Sequence, residues 1–257
     1  MSDFDRNAAA AQYGRSVNRA GAVVVDEGLR AYMLRIYNYM ALGLAITGFV
    51  ALGAYTLAVT TDPTTNRILL TSFGQLIYGS PLRWVIIFAP LAVVFLFSFR
   101  IERMSPAAAQ ITFWVFGALM GLSLSSIFLV YTQTSIARVF FITAAAFGGL
   151  SLWGYTTQRD ISGWGSFLMM GLIGIVIASL VNIFLRSDAV QFVVSVVGVL
   201  VFAGLTAWDT QRLKSEYIYG SMQGDVAEKS AIMGALSLYL NFINLFVLLL
   251  QLFGDRR

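Results

Sequence analysis

Apolar residues fall into seven long runs separated by polar breaks, approximately Arg35–Val59, Leu82–Phe99, Pro106–Tyr131, Ala137–Thr157, Gly163–Leu185, Ala189–Asp209 and Ala231–Phe253. Each is close to the roughly 20 residues that cross about 30 Å of hydrocarbon as a helix. The runs are continuous rather than alternating with period two, which excludes a β-barrel. The predicted fold is therefore all-α, a polytopic membrane protein with seven transmembrane helices. The second run is the shortest and contains Pro90, so a tilt or kink is expected there. Connections are short except Thr60–Pro81 and Thr210–Ser230. Residues 1–31 read as a polar tail, mobile to about Asp26, and residues 32–257 as the membrane domain.

Composition agrees and narrows the chemistry. The chain is 58% hydrophobic and 12% charged, too little charge to cover a water-soluble surface. Soluble enzymes and nucleic-acid binders drop out, and the basic balance needs no nucleic acid to explain it. The first residues lack the apolar core of a cleavable signal peptide. Cysteine and histidine are both absent. That removes disulfides, thiolate zinc sites, cysteine nucleophiles and imidazole switches. No cofactor is expected. Any ion chemistry must use carboxylates, amides, hydroxyls and carbonyls, which suit hard cations such as calcium.

Basic residues give an orientation. Eleven arginines and lysines fall on the side of the N-terminus and six on the other (Arg67, Arg83, Arg138, Arg186, Arg256 and Arg257). The positive-inside rule then predicts a cytoplasmic N-terminus and an external C-terminus. The even-numbered helices end alike on the N-terminal side, in "FRIER", "YTTQR" and "WDTQR". Interfacial anchoring accounts for this pattern. Three related hairpins around a seventh helix would also account for it, and would set Arg100, Thr156 and Asp209 at one depth, letting Arg100 pair with Asp209.

Small residues recur at helical spacing: Gly43, Thr47 and Ala51; Gly117, Gly121 and Ser125; Gly171, Gly174 and Ala178, ending in Asn182. Such stripes let membrane helices approach closely. On helix seven, Gly234, Ser237, Asn241, Asn244 and Gln251 form one polar stripe on an otherwise apolar helix. Lipid would leave those amides unsatisfied, so helix seven belongs inside the bundle. The stripe can serve as interhelical glue or line a pathway, with Ser237, Asn244 and Gln251 as lining candidates.

Asp209 is the acid that matters most. No glycine or proline follows it until Gly220, so helix six is expected to run on through "TQRLKSEYIY". Two accounts of Asp209 stand level: a solvated interfacial acid paired with Arg212, or a functional charge at membrane depth. Glu102, Asp160 and Asp188 each lie beside an arginine, so local salt bridges are the expectation for them.

"FAGLTAWDTQRLK" (Phe202–Lys214), "FGGLSLWGYTTQRDISGWGSFL" (Phe147–Leu168), "GLSLSSIF" (Gly121–Phe128) and "LSLYLNFINLF" (Leu236–Phe246) resemble the Bax inhibitor-1 family in its bacterial branch. The resemblance spans roughly Tyr32 to Phe253. It implies a seven-helix bundle with helix seven at its centre, in a bacterial inner membrane, and a pH-sensitive calcium leak. It implies that two aspartates, on helices six and seven, share a proton, latched by an arginine at the end of helix two. Asp209 matches the first aspartate and is the metal candidate. Arg100 or Arg103 matches the latch, Arg100 being favoured by depth.

The second aspartate position is Asn241, a departure from the pattern. One carboxylate fewer predicts a weaker or shifted pH response and a weaker hold on calcium. Contact between the two positions also faces a depth problem. If helix seven begins crossing at Ala231, Asn241 lies about 15 Å along it, deeper than Asp209. The alternative role is an interaction protein that modulates a membrane quality-control protease or a stress or cell-death response through a membrane-protein partner. An intramembrane carboxylate-pair hydrolase is not expected, because only one intramembrane aspartate is present.

Overall fold

The computed structural model describes residues 3–61, 68–220 and 224–257, with side chains described from Glu27 onward. The expected mobile tail up to Asp26 lies outside the residues whose side chains are described. Among the described residues seven helices are long and apolar enough to span a membrane. They are α1 (Asp3–Ala58, spanning from Glu27), α2 (Leu82–Arg100), α3 (Pro106–Leu124), α4 (Gln133–Thr156), α5 (Trp164–Leu185), α6 (Asp188–Tyr219) and α7 (Gly224–Phe253).

Local chemistry sets the helix ends. Ser105 caps α3 ahead of Pro106, and Thr132 and Ser187 cap α4 and α6 with their hydroxyls. Pro90 lies inside α2. In the long connection after α1, Val59–Thr61 and Ile68–Leu70 pair as a short antiparallel hairpin, which the apolar pattern did not announce. The expected continuation of helix six is present: α6 runs ten residues past Asp209 and stops at Gly220. The connection to α7 is therefore much shorter than Thr210–Ser230.

Helix seven is the hub, packed against α1, α3, α4 and α6. In its most apolar stretch 67% of residues are buried, against 11% in α2 and α5, which lie at the periphery. At its centre Tyr239 is fully buried, edge-on to Phe113 and Phe116 with centroids at 6.0 and 5.3 Å. A buried phenol needs a partner. Its hydroxyl lies 2.6 Å from Thr47 Oγ1, which in turn is 2.8 Å from the Gly117 carbonyl and 2.9 Å from that of Gly43.

The small-residue stripes of α1 and α3 meet as their spacing predicts. A Cβ on Gly121 would fall 2.5 Å from the Thr47 carbonyl oxygen, and one on Gly117 would fall 3.2 Å from that of Gly43. On α5 the stripe is only partly used: Gly171 faces Val201, but nothing lies within 4 Å of a Cβ at Gly174. The helices α4 and α6 approach closely at Gly154, where a Cβ would fall 2.3 Å from the Ala207 carbonyl oxygen. Beside it Ser151 and Thr210 share a hydrogen bond of 2.9 Å, and Tyr37 reaches Ser151 at 2.6 Å. This seam fixes the segment of α6 that carries Asp209.

Candidate functional site

Asp209 sits inside α6, and the residue is only 4% exposed. Its carboxylate is held by three donors. Asn241 Nδ2 donates to Oδ2 at 2.6 Å, Ser237 Oγ donates to the same oxygen at 3.0 Å, and Arg212 Nη2 lies 2.7 Å from Oδ1. Such charge-assisted bonds are the strong ones, and they offset the cost of burying the charge.

The direction of the Cα–Cβ bonds resolves the depth problem. Residues facing each other across α6 and α7 include Leu213 with Gly234, Asp209 with Ser237, and Gly198 with Leu248. Ser237 is thus level with Asp209, and Asn241 is one turn deeper. Side chains lean toward their own helix N-terminus. The two helices are antiparallel, so Asp209 leans deeper while Asn241 leans back, and the two meet.

Arg212 supplies the counter-charge from the same helix, at i+3. Its guanidinium stacks over Trp208 at 4.9 Å, and its Nε lies 3.5 Å from Glu216 Oε1, without hydrogen-bond geometry. Trp208 in turn packs on Gly165 and donates from Nε1 to the Ser162 carbonyl at 3.2 Å. Gln211 accepts from the Ile161 N–H at 2.9 Å and donates to the Arg159 carbonyl at 2.7 Å. The "WDTQR" run therefore clamps the α4–α5 loop with Trp208 and Gln211, while Asp209 and Arg212 form the ion pair. Trp208 and Gln211 were missed as positioning residues. Their signal is the repeated motif, which interfacial anchoring and related hairpins both account for without a clamp.

The helix-two latch is not formed. Among the described residues Arg100 and Arg103 are exposed and make no ion pair with Asp209. The contact of Gly154 with Ala207 on the parallel helices α4 and α6 does set Thr156 level with Asp209, but Thr156 is exposed and bonds its own helix at the Leu152 carbonyl. The reason is proximity: Arg212 is one turn away on a continuous helix, whereas α2 packs chiefly on α3. The two accounts of Asp209 merge, because the Arg212 pair exists but the acid is buried rather than solvated.

The salt bridges expected at Glu102, Asp160 and Asp188 do not appear among the described ion pairs. Asp160 instead accepts the Ser162 N–H at 2.9 Å. That bond, with the Ser162 side chain, holds its carboxyl below the usual carboxylate range.

A groove of about 770 Å³ opens from the site between α5, α6 and α7. Asp209, Arg212, Ser237, Asn241 and Asn244 line its polar end; Leu172, Ile175, Phe202 and Leu248 are among its apolar walls. Asn244 Nδ2 donates to the Leu240 carbonyl at 2.8 Å. The fourth stripe candidate, Gln251, lies beyond the groove and accepts from Gln191 and Ser195 at 2.7 and 2.9 Å. Among the described residues no cluster of three or more acids could hold a metal ion. The oxygens near Asp209 fall short of the six to eight that calcium takes in a tight site.

A seven-helix membrane bundle built around a polar central helix, with one buried carboxylate clasped between helices six and seven, defines a class of small polytopic membrane protein. Comparison with known proteins gives the family. The family described as "Inhibitor of apoptosis-promoting Bax1" matches residues 29–257, and the chain belongs to it, the Bax inhibitor-1 family. The inner membrane protein YbhL of Escherichia coli is 47% identical over 233 residues, covering 90% of this chain and 94% of that one. A protein of Rickettsia prowazekii is 48% identical over 232 residues, covering 90% and 92%. One from Caulobacter vibrioides is 45% identical over 260 residues, covering both chains in full.

Proposed function

We propose that the chain is a pH-modulated leak for cations, calcium foremost, in the bacterial inner membrane, with its N-terminal face in the cytoplasm. The observation that carries this reading is the single buried carboxylate of Asp209 at the polar end of a groove between spanning helices. A charge at that depth is costly and marks ion or proton pathways. The inner membrane assignment draws on the name of the Escherichia coli relative.

The ion pair sets the mechanism. With Arg212 on Asp209 the site is neutral and a cation finds no free carboxylate. Protonating Asp209 releases Arg212, for which Glu216 is the next anion, one turn toward the N-terminal face. Deprotonation with Arg212 displaced leaves a carboxylate, a hydroxyl and an amide to carry a cation past. The oxygen set is too small to trap the ion, which suits passage over storage. The latch role falls to Arg212 in place of Arg100 or Arg103. A carboxylate-pair hydrolase finds no support, because among the described residues Asp209 contacts Asn241, Ser237 and Arg212 and no second carboxylate.

The test is calcium flux into proteoliposomes on both sides of neutral pH. Asp209→Asn is expected to remove the pH response. Asn241→Asp places two carboxylates in contact and is expected to steepen the response near neutrality. Absence of flux in wild type and both variants would remove this reading and leave the interaction role standing.

A further inference from the structure

The polar stripe of α7 has a gap that the structure explains. Ser237, Asn241, Asn244 and Gln251 are spaced 4, 3 and 7. Position 248, four on from Asn244 and three before Gln251, completes the helical face, and it holds a leucine. On α7 the groove lining ends there: Leu248 is its last residue on that helix, about 16 Å along from Ser237 at 1.5 Å per residue, while the α5 wall runs on to Ile183 beside Asn182.

The notch that receives Leu248 is Gly198 on α6. A Cβ at Gly198 would fall 2.7 Å from Leu248 Cδ1, so the absence of a side chain there lets the leucine tip seat directly on the helix, and a larger residue would push it aside. Immediately beyond, the groove gives way to a knot of amides. Asn182 Nδ2 donates to Gln191 Oε1 at 3.3 Å, Gln191 Nε2 donates to Gln251 Oε1 at 2.7 Å, and Ser195 Oγ reaches the same oxygen at 2.9 Å. Asn182 Oδ1 also accepts the Ser187 N–H at 3.0 Å. The knot ties α5, α6 and α7 together at the C-terminal face. Its amide oxygens accept from the N–H and O–H donors around them, so it is a fastening rather than a cation site.

We propose that Leu248, seated on Gly198 beneath the Asn182–Gln191–Gln251 knot, is the apolar barrier that seals the groove from the C-terminal face. The proposal rests on the passage reading given above. An apolar constriction in a polar path blocks ions by excluding water. Leu248 interrupts the stripe where the groove leaves α7, with a polar group on either side. Opening it requires the leucine to leave the glycine notch and the knot to part.

The absence of native cysteine makes the test direct. Asn244→Cys places one thiol just on the groove side of Leu248, and a membrane-impermeant methanethiosulfonate reagent is applied to either face of sealed vesicles. With Leu248 present, modification is expected from the N-terminal face and none from the C-terminal face. Adding Leu248→Asn, which completes the stripe, is expected to raise modification from the C-terminal face to the rate seen from the other. Adding Leu248→Met, which refills the notch, is expected to leave the C-terminal face silent. Unchanged modification from the N-terminal face shows that each variant is folded. Equal modification from both faces with Leu248 intact overturns the proposal, as does silence from the C-terminal face in Leu248→Asn. Calcium flux measured on the same vesicles separates the two readings. Labelling that opens without flux sinks the calcium reading and leaves the seal, and flux without a change in labelling does the reverse.

Discussion

Gly154→Ala is the sharpest perturbation of the scaffold that holds the site. A Cβ there would lie 2.3 Å from the Ala207 carbonyl oxygen and 3.0 Å from its carbonyl carbon and Cα, all backbone atoms of α6 that cannot rotate away. Ordinary contact begins at 3.4 Å, so α4 and α6 must part by about 1 Å, the difference between 3.4 and 2.3 Å. Overpacking of this kind costs roughly 1–3 kcal/mol. The Ser151–Thr210 hydrogen bond, on the adjacent turn, is strained by the same movement and adds roughly 0.5–1.5 kcal/mol. The expected loss is therefore roughly 2–4 kcal/mol. Gly148→Ala in the same helix is the control. Nothing lies within 4 Å of a Cβ there, so relief of glycine's helix penalty stabilises by up to about 1 kcal/mol. Thermal unfolding of the detergent-solubilised protein, followed by circular dichroism, measures both. Opposite signs are expected. A Gly154→Ala protein that melts at or above the Gly148→Ala protein would refute the seam.

Asp209→Ala removes the acceptor of three bonds and leaves Arg212 with Glu216 alone. The expected cost is about 2 kcal/mol, less than for a fully buried pair because Arg212 is 37% exposed and can reach water, read as a lowered melting temperature. Tyr239→Phe keeps the ring packing and takes one hydrogen bond from Thr47, which retains two carbonyl partners. A loss of about 1 kcal/mol is expected in the same melt, and a loss several times larger would mean that the hydroxyl organises more than this contact. Gln211→Ala frees the Arg159 carbonyl and the Ile161 N–H. Faster proteolytic cleavage between Thr157 and Gly163 is expected, with α6 intact.

Much of this architecture can be read from the chain. Long apolar runs give the seven helices because a bilayer demands continuous apolar length. The polar stripe puts α7 at the centre because its amides have no other place to go. The missing stop signal after "AWD" carries α6 through Asp209, and Asn241 is its partner. The counter-ion was harder to read. Matching "FRIER" to "WDTQR" pairs helix ends by similar letters, but whether Arg100 reaches Asp209 depends on which neighbour α2 packs against, and that is chiefly α3. Arg212, already within reach at i+3, decided the matter. Glycine spacing likewise located close contacts on α1 and α3, yet it over-read Gly174 and passed over Gly154. Spacing marks a face of a helix and does not say what that face meets.

The partner charge of Asp209 resides on the helix that carries the acid. A rigid displacement of α6 therefore moves a neutral dipole, and separating the charges is a side-chain rotation. Arg212 Nε already lies 3.5 Å from Glu216, so a swing off Asp209 moves its charge by at most one helical turn, about 5.4 Å of a hydrocarbon layer about 30 Å thick. A membrane potential does about 2.3 kcal/mol of work per 100 mV on a charge that crosses completely, so the swing feels only about 0.4 kcal/mol, less than thermal energy. An electrical gradient is a poor key to such a clasp.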